Sequence, residues 1–185
     1  PDMAYGNGNG NGQGSLSYLH RNSTIRVDAA DLDGDAMRVM VEVRRADDDR
    51  WIPIARDGSS LDVEWDTARF EDGTWHARAT VRDLHTSAQL ESSPVVIDNS
   101  IPTLADSSRD EDVLTVEIQD RGSRLQLVEL RTSERGSWQP IEPVDGVTDG
   151  PDEEYEIALE ADTAVVWIRV RDVAGNEAVF SPRLD

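Results

Sequence analysis

The chain has 185 residues and no cysteine, so disulfides cannot stabilise it. Its 38 acidic and 18 basic residues give a formal net charge of −20, and every basic residue is an arginine. This charge argues against nucleic-acid partners and anionic lipid surfaces, because both would be repelled. The acidic, lysine-free composition is typical of proteins adapted to high salt, and an acidic coding bias is the alternative explanation.

Apolar runs are short throughout. None approaches the roughly 20 residues that a membrane-spanning helix needs. We therefore expect no membrane insertion.

The first 14 residues are dominated by alternating glycine and asparagine. Glycine stands at every second position from Gly6 to Gly14, which maximises backbone freedom and leaves no side chains for a core. We therefore predict a flexible linker over residues 1–14. A phosphate-binding loop is the alternative, but the preceding strand, the following helix and the lysine that it needs are missing from the pattern.

From residue 15 onward the sequence predicts short β-strands. Apolar and polar residues alternate over 37–44, and an Asp-Gly turn at 72–73 precedes another alternating run. Helical periodicity never extends beyond about two turns. The pattern predicts about seven strands before residue 99, which is the number typical of a β-sandwich.

The same order of elements then occurs a second time. Trp51 and Trp138 are 87 residues apart, and Asp83 and Asp172, which end two similar Val-Arg-Asp strands, are 89 apart. Landmarks that drift so little over such a distance indicate tandem copies of one unit.

Three segments resemble immunoglobulin-like and fibronectin type III-like modules, which occur in series in bacterial secreted and cell-surface proteins. Residues 66–75 resemble the family's Asp-Gly-Thr-aromatic hairpin, 170–178 its Asp-x-Ala-Gly-Asn turn, and 97–102 its junction between modules. The first copy departs from the pattern at 83–88, where the Gly-Asn turn is missing, so we expect its hairpin to be reshaped.

The repeat and the resemblance together lead to one fold prediction. We expect an all-β chain with two tandem antiparallel β-sandwich domains (Ig-like/FnIII-like), the first at residues 15–99 and the second at 100–185. Such motifs are structural and say little about activity.

The functional expectation is a non-catalytic one. The chain has neither a Gly-x-Ser-x-Gly nucleophile elbow nor histidines at zinc-ligand spacing. We expect a spacer or accessory tandem module of a larger exported protein, extracellular, on the cell surface or periplasmic, with an upstream domain of the same polypeptide as its partner. The alternative is a module that binds polysaccharide or a cell-surface protein.

One acidic turn is a candidate metal site. Asp31, Asp33 and Asp35 alternate around Gly34, which would bring three carboxylates to one side of a tight turn where calcium could bind. A solvated Asp-rich turn, with no cofactor, is the alternative. The counterpart in the second copy, residues 120–123, has arginine and serine in place of the later aspartates, which argues against a metal site shared by both copies.

The five tryptophans divide into two groups. Trp51 and Trp138 occupy matching positions, and we expect them to be core anchors. Trp65 and Trp75 each share an alternating face with apolar residues, so both are also expected in the core. Trp167 lies with Val165 on the opposite face of its strand from the apolar set. We expect an intramolecular cover over this face, and the alternative makes Trp167 a ligand-binding residue.

Overall fold

The computed structural model describes the backbone of residues 2–6 and all of residues 16–31 and 34–184. Its contacts divide the chain into two compact units, unit 1 over Pro1–Asn99 and unit 2 over Ser100–Asp185. Within the described ranges, no helix is long and apolar enough to cross a membrane.

Both units are built of β-strands. Those described in unit 1 are β1 (Asp2–Gly6), β2 (Ser17–Leu19), β3 (Asn22–Asp28), β4 (Arg38–Arg45), β5 (Ile52–Gly58), β6 (Asp62–Asp66), β7 (Gly73–Arg82), β8 (Ser87–Glu91) and β9 (Val95–Ile97), with a 3-10 turn at Thr67–Arg69. Those described in unit 2 are β10 (Thr103–Asp110), β11 (Val113–Gln119), β12 (Leu125–Arg131), β13 (Gln139–Pro140), β14 (Asp152–Ala158), β15 (Trp167–Asp172) and β16 (Glu177–Phe180).

The strands of each unit form two sheets within the described residues. In unit 1 the strand orders are β1-β3-β6 and β2-β9-β7-β4-β5, with β8 added beside β7, and in unit 2 they are β10-β11-β14 and β13-β12-β15-β16. The pairings are antiparallel except for β2 with β9. Two such sheets closing over one core make a β-sandwich, the architecture of immunoglobulin-like and fibronectin type III modules. The predicted fold class is confirmed.

Alternation along the strands decides which side chains enter the core of unit 1. Val39, Val41 and Val43 of β4 are at most 1% exposed, because every second side chain of a strand points to the same face. Trp65 and Trp75 are also buried, as predicted. These side chains belong to one apolar cluster that includes residues of both sheets, so burial holds the sheets of unit 1 together.

Unit 2 has its own core on the same plan. Leu114, Val116 and Ile118 of β11 pack in one cluster with Ile168 of β15. Tyr155 of β14 is fully buried among them, and this burial raises the pKa of its phenol to about 12. Each unit therefore has a separate apolar cluster of its own.

The turns that follow the two Val-Arg-Asp strands differ in length. The Asp83 amide donates to the Thr86 carbonyl at 3.1 Å, whereas the Asp172 amide donates to the Asn176 carbonyl, also at 3.1 Å. The longer turn contains Gly175 at φ +96°, a conformation that favours glycine. The shorter turn has one residue fewer, which accounts for the missing Gly-Asn pair in the first copy and agrees with the expected reshaping.

The linker prediction for residues 1–14 is wrong for its first part. Asp2–Gly6 forms β1 and pairs antiparallel with β3, with Met3 opposite Val27 and Tyr5 opposite Ile25. Backbone groups make these pairings, so an open strand edge accepts a short segment whose sequence carries little pattern. The rest of the predicted linker, 7–14, lies outside the described residues; in the chain it stands between β1 and β2 of the same unit.

Candidate functional site

The predicted calcium turn is only partly described. Asp31 Oδ1 accepts a hydrogen bond from the Asp35 amide at 2.9 Å, so these two residues close a turn. Asp35 Oδ2 lies 3.7 Å from Nε2 of His85. Asp33 lies outside the described residues, so joint ligation of calcium by Asp31, Asp33 and Asp35 stays a prediction.

Asp83 is held by its own turn in the same part of unit 1. Its Oδ2 accepts from the Thr86 hydroxyl at 2.7 Å, and its Oδ1 accepts from the amides of Thr86 and His85 at 2.5 and 2.6 Å. These hydrogen bonds, of which those from Thr86 are the strongest influence, hold the pKa of Asp83 well below its usual range. The carboxylate is thus stabilised in its ionised form by the turn itself.

Trp167 lies on the face of β15 that the sequence predicts. Val166, Ile168 and Val170 are fully buried, whereas Val165 is 38% exposed and Trp167 is half-buried. The Arg131 guanidinium lies 5.0 Å from the centre of the Trp167 ring. This face of Trp167 is therefore covered from within unit 2, and its role in ligand binding stays a prediction.

Arg131 belongs to a larger stack on the outer face of the same sheet. Its guanidinium lies 4.6 Å from the Trp138 ring centre, and that of Arg169 lies 4.7 Å from it. Arg169 also donates to Glu129 Oε2 from Nε at 2.8 Å. We call Glu129, Arg131, Trp138 and Arg169 the unit 2 stack.

Unit 1 carries the same arrangement. Arg44 and Arg78 place their guanidiniums 5.1 and 4.1 Å from the ring centre of Trp51. Arg78 donates to Glu42 Oε2 from Nη2 at 2.8 Å. We call Glu42, Arg44, Trp51 and Arg78 the unit 1 stack. At the place of Trp167 this unit has His76, which pairs with Arg44 across β4 and β7 as Trp167 pairs with Arg131 across β12 and β15.

The prediction that Trp51 and Trp138 anchor the cores is wrong. Both rings are half-buried and lie between arginines on the outer sheet faces. The matching positions were a correct sign of a shared role, but the role is cation–π stacking. The sequence did carry a signal for it, because Glu42 to Glu129 and Arg44 to Arg131 repeat at the same spacing as the two tryptophans.

The contacts within the two stacks stabilise the sheets that carry them. Each carboxylate is paired with a guanidinium whose other face meets an indole ring, and the side chains of Glu42 and Glu129 are only 16% and 14% exposed. Such paired charges and stacked rings stabilise one another. The stacks therefore tie β-strands together on the outer face of each sandwich.

Unit 1 also contains a groove of about 650 Å³ between β5 and β6. Its lining includes the rings of Trp65, Phe70 and Trp75, which meet edge to face at centroid distances of 5.2 to 6.3 Å. Trp75 Nε1 donates to the Glu71 carbonyl at 3.0 Å. Trp65 Nε1 is buried and has no hydrogen-bond acceptor among the described residues. Arg69 also lines this groove.

Comparisons with known proteins add little beyond the fold. No protein-family model matches this chain, and no curated protein matches it. Among solved structures, the chicken interferon gamma receptor alpha chain is 12% identical at a TM-score of 0.39, covering 90% of this chain and 95% of the receptor chain. The FN1–FN3 domains of chicken CNTN1 are 10% identical at a TM-score of 0.41, covering 90% of this chain and 65% of that one.

Proposed function

We propose that this chain is a non-catalytic structural tandem module of a larger exported protein, adapted to high salt. In this role units 1 and 2 act as two independently stable spacers that support or present an upstream domain of the same polypeptide. The expected location is extracellular, at the cell surface or in the periplasm, and nucleic acid is not an expected partner because of the negative charge.

The observation that carries this proposal is the duplicated stack. Each unit combines its own apolar cluster with a glutamate–arginine ion pair whose guanidinium stacks on a tryptophan ring. A repeated arrangement of paired charges and stacked rings favours a stabilising role over a catalytic one. Immunoglobulin-like and fibronectin type III-like folds in general serve as structural or binding modules.

Separate expression of residues 1–99 and 100–185 tests the proposal. We expect each fragment to unfold cooperatively, with a midpoint within a few degrees of the corresponding transition in the full chain, because each has its own core. Calorimetry of both fragments and of the full chain measures this. Fragments that remain unfolded alone would overturn the description as independent spacers.

The groove of unit 1 supports a second candidate, the binding of polysaccharide or another surface component. A buried indole N–H without an acceptor leaves a hydrogen bond unmade, and a sugar hydroxyl is a suitable acceptor. Phe70, which is half-buried and lines the same groove, would provide apolar contact for a sugar ring.

Retention on insoluble cellulose and chitin tests this candidate. We expect Trp65→Phe, which keeps an aromatic ring and removes the N–H, to reduce retention, while Trp167→Ala leaves it unchanged. Loss of retention only in Trp167→Ala would move the binding site to the outer face of unit 2. If neither material retains the wild-type chain, binding to these polysaccharides is excluded and the spacer role stands alone.

A further inference from the structure

Two aspartates come together at one end of unit 2. Asp120 follows the last residue of β11, and Asp172 is the last residue of β15, 52 positions later. The Val173 amide donates to the Arg124 carbonyl at 3.1 Å, which joins the two turns. One carboxylate oxygen of Asp120 lies within 4.8 Å of one of Asp172. The fold thus brings two like charges into contact range.

Both carboxylates are buried. Asp120 is 5% exposed and Asp172 is fully buried. The ion pairs of the described part of unit 2 join Arg169 to Glu129 and Arg171 to Glu177, so neither aspartate has a cationic partner there. A buried carboxylate without a countercharge is costly, and a second one beside it adds repulsion.

Backbone amides and one side-chain amide donate hydrogen bonds to three of the four carboxylate oxygens of the pair. Asp172 accepts at both oxygens: Oδ1 from the amides of Gly175 and Asn176 at 2.6 and 2.9 Å, and Oδ2 from Asn176 Nδ2 at 2.8 Å. Asp120 Oδ1 accepts from the amides of Gly122 and Ser123, both at 2.8 Å. Asp120 Oδ2 is buried and has no hydrogen-bond partner among the described residues.

A neutral oxygen lies beside the pair in the chain. The Ser123 hydroxyl is buried and, like Asp120 Oδ2, makes no hydrogen bond within the described residues. Burial, and to a smaller degree the charge of Asp120, raises the pKa of Asp172 in spite of its hydrogen bonds. The described atoms of unit 2 therefore leave the negative charge of these turns without a cationic partner. They also leave two buried oxygens, Asp120 Oδ2 and the Ser123 hydroxyl, without a hydrogen bond.

A calcium ion would supply the missing positive charge and bind the oxygens that have no hydrogen-bond partner. Calcium takes oxygen ligands at about 2.4 Å, so two carboxylate oxygens bound to one ion lie at most about 4.8 Å apart. The two carboxylates lie within this limit. Unit 2 carries 20 acidic residues against 8 arginines, a net charge of −12, which raises the local concentration of cations. Water or carbonyl oxygens would complete the shell.

We propose that Asp120 and Asp172, with the Ser123 hydroxyl as a neutral ligand, bind a calcium ion at this end of unit 2. The ion ties the turn after β11 to the turn after β15. This site is separate from the Asp31–Asp35 turn that the sequence singles out. Asp120 is the sequence counterpart of Asp31. The proposed site in unit 2 therefore combines the first aspartate of the corresponding turn with Asp172 of β15.

The test is thermal unfolding of the full chain at fixed potassium chloride, with either about 1 mM calcium chloride or a chelator. We expect calcium to raise the midpoint of the wild-type chain by roughly 5 °C or more. Asp120→Asn keeps the Oδ1 acceptor for the turn and removes the charge, and it should lose the calcium response. Asp162→Asn, an exposed change of the same charge in unit 2, should keep the full response.

Two further measurements make the outcome decisive. In chelator, we expect Asp120→Asn to unfold at a higher temperature than wild type, because it removes one of two buried like charges. In amide NMR spectra of the wild-type chain, calcium should shift the signals of Gly122, Ser123 and Gly175. This second readout does not depend on the variant folding.

Three results would each overturn the proposal. The first is a wild-type midpoint that does not change up to about 10 mM calcium. The second is a calcium response that survives in Asp120→Asn and disappears in Asp31→Asn. The third is a set of amide shifts centred on Asp35, which, like the second, would place the ion at the unit 1 turn.

Discussion

At Trp138, one indole ring lies between the guanidiniums of Arg131 and Arg169, which approach its centre to 4.6 and 4.7 Å. Cation–π contacts contribute about 0.5–1 kcal/mol at exposed sites and about 2 kcal/mol where the groups are shielded from water. The ring is half-buried, which places this stack between those limits. A single residue thus secures two strands of the outer face.

We expect Trp138→Leu to lower the free energy of unfolding of unit 2 by about 1–2 kcal/mol, because both ring contacts are lost while apolar volume is largely kept. Calorimetry of the full chain should show a lower midpoint for unit 2 and an unchanged one for unit 1. The matched variant Trp51→Leu should lower the midpoint of unit 1 and leave that of unit 2 unchanged. Trp138→Phe keeps a ring, and if it loses as much stability as Trp138→Leu, ring stacking is not the source.

The sequence correctly predicted which strand face three of the tryptophans occupy, but it did not predict the arginine contacts of the other two. Period-two alternation correctly placed Trp65 and Trp75 in the core and Trp167 on the opposite face of its strand. The prediction for Trp51 and Trp138 used only their matching positions in the two copies, and it was wrong; each residue immediately precedes a strand, β5 or β13. One arginine partner of each ring, Arg78 or Arg169, comes from a later strand, which a local pattern does not report.

At the scale of elements, the β15–β16 hairpin depends on one backbone conformation. Gly175 has φ +96°, and its amide donates to Asp172 Oδ1 at 2.6 Å. A side chain in a left-handed conformation costs about 1–2 kcal/mol because Cβ approaches the following carbonyl oxygen. The glycine of the Asp-x-Ala-Gly-Asn sequence is therefore a requirement of the turn.

We expect Gly175→Ala to destabilise unit 2 by about 1–2 kcal/mol, measured as a lower midpoint in thermal unfolding. The control is Gly58→Ala in β5. A Cβ there would meet only the Val39 carbonyl at 3.8 Å, an ordinary contact, so the midpoint of unit 1 should stay nearly constant or rise. Equal losses in both variants would show that the backbone angle is not the cause.

Strand β1 shows the limit of prediction at this scale. Its residues stand next to a Gly/Asn-rich stretch, and composition alone favoured a linker. The edge of β3 provides free backbone groups, and pairing with them makes a strand of Asp2–Gly6. Edge pairing of this kind depends on which strand edge is open, and that is a property of the assembled sheet.

At the scale of the whole molecule, the net charge of −20 opposes the compact state. The repulsion is also visible locally, where Glu117 of β11 lies directly opposite Glu154 of β14 and both are exposed. Like charges at directly opposed positions destabilise a strand pair. Salt reduces both effects, because the screening length falls from about 10 Å at 0.1 M to about 3 Å at 1 M.

We expect the unfolding midpoint to rise when potassium chloride is increased from about 0.1 M to about 1 M. Glu154→Gln should raise the midpoint of unit 2 at the lower salt concentration, and this gain should shrink at the higher one. Thermal unfolding by circular dichroism measures both. A midpoint that falls with added salt would argue against adaptation to high salt.

The sequence by itself determined the strand pattern, most of the core and the duplication, because alternation and spacing are local properties that each strand carries in its own residues. The tertiary structure decided which distant residues meet. It stacked Trp51 and Trp138 on arginines, paired Asp2–Gly6 with β3, and brought Asp120 to Asp172 across 52 positions. Contacts of this kind arise from sheet register and turn geometry, and these are set only when the strands assemble.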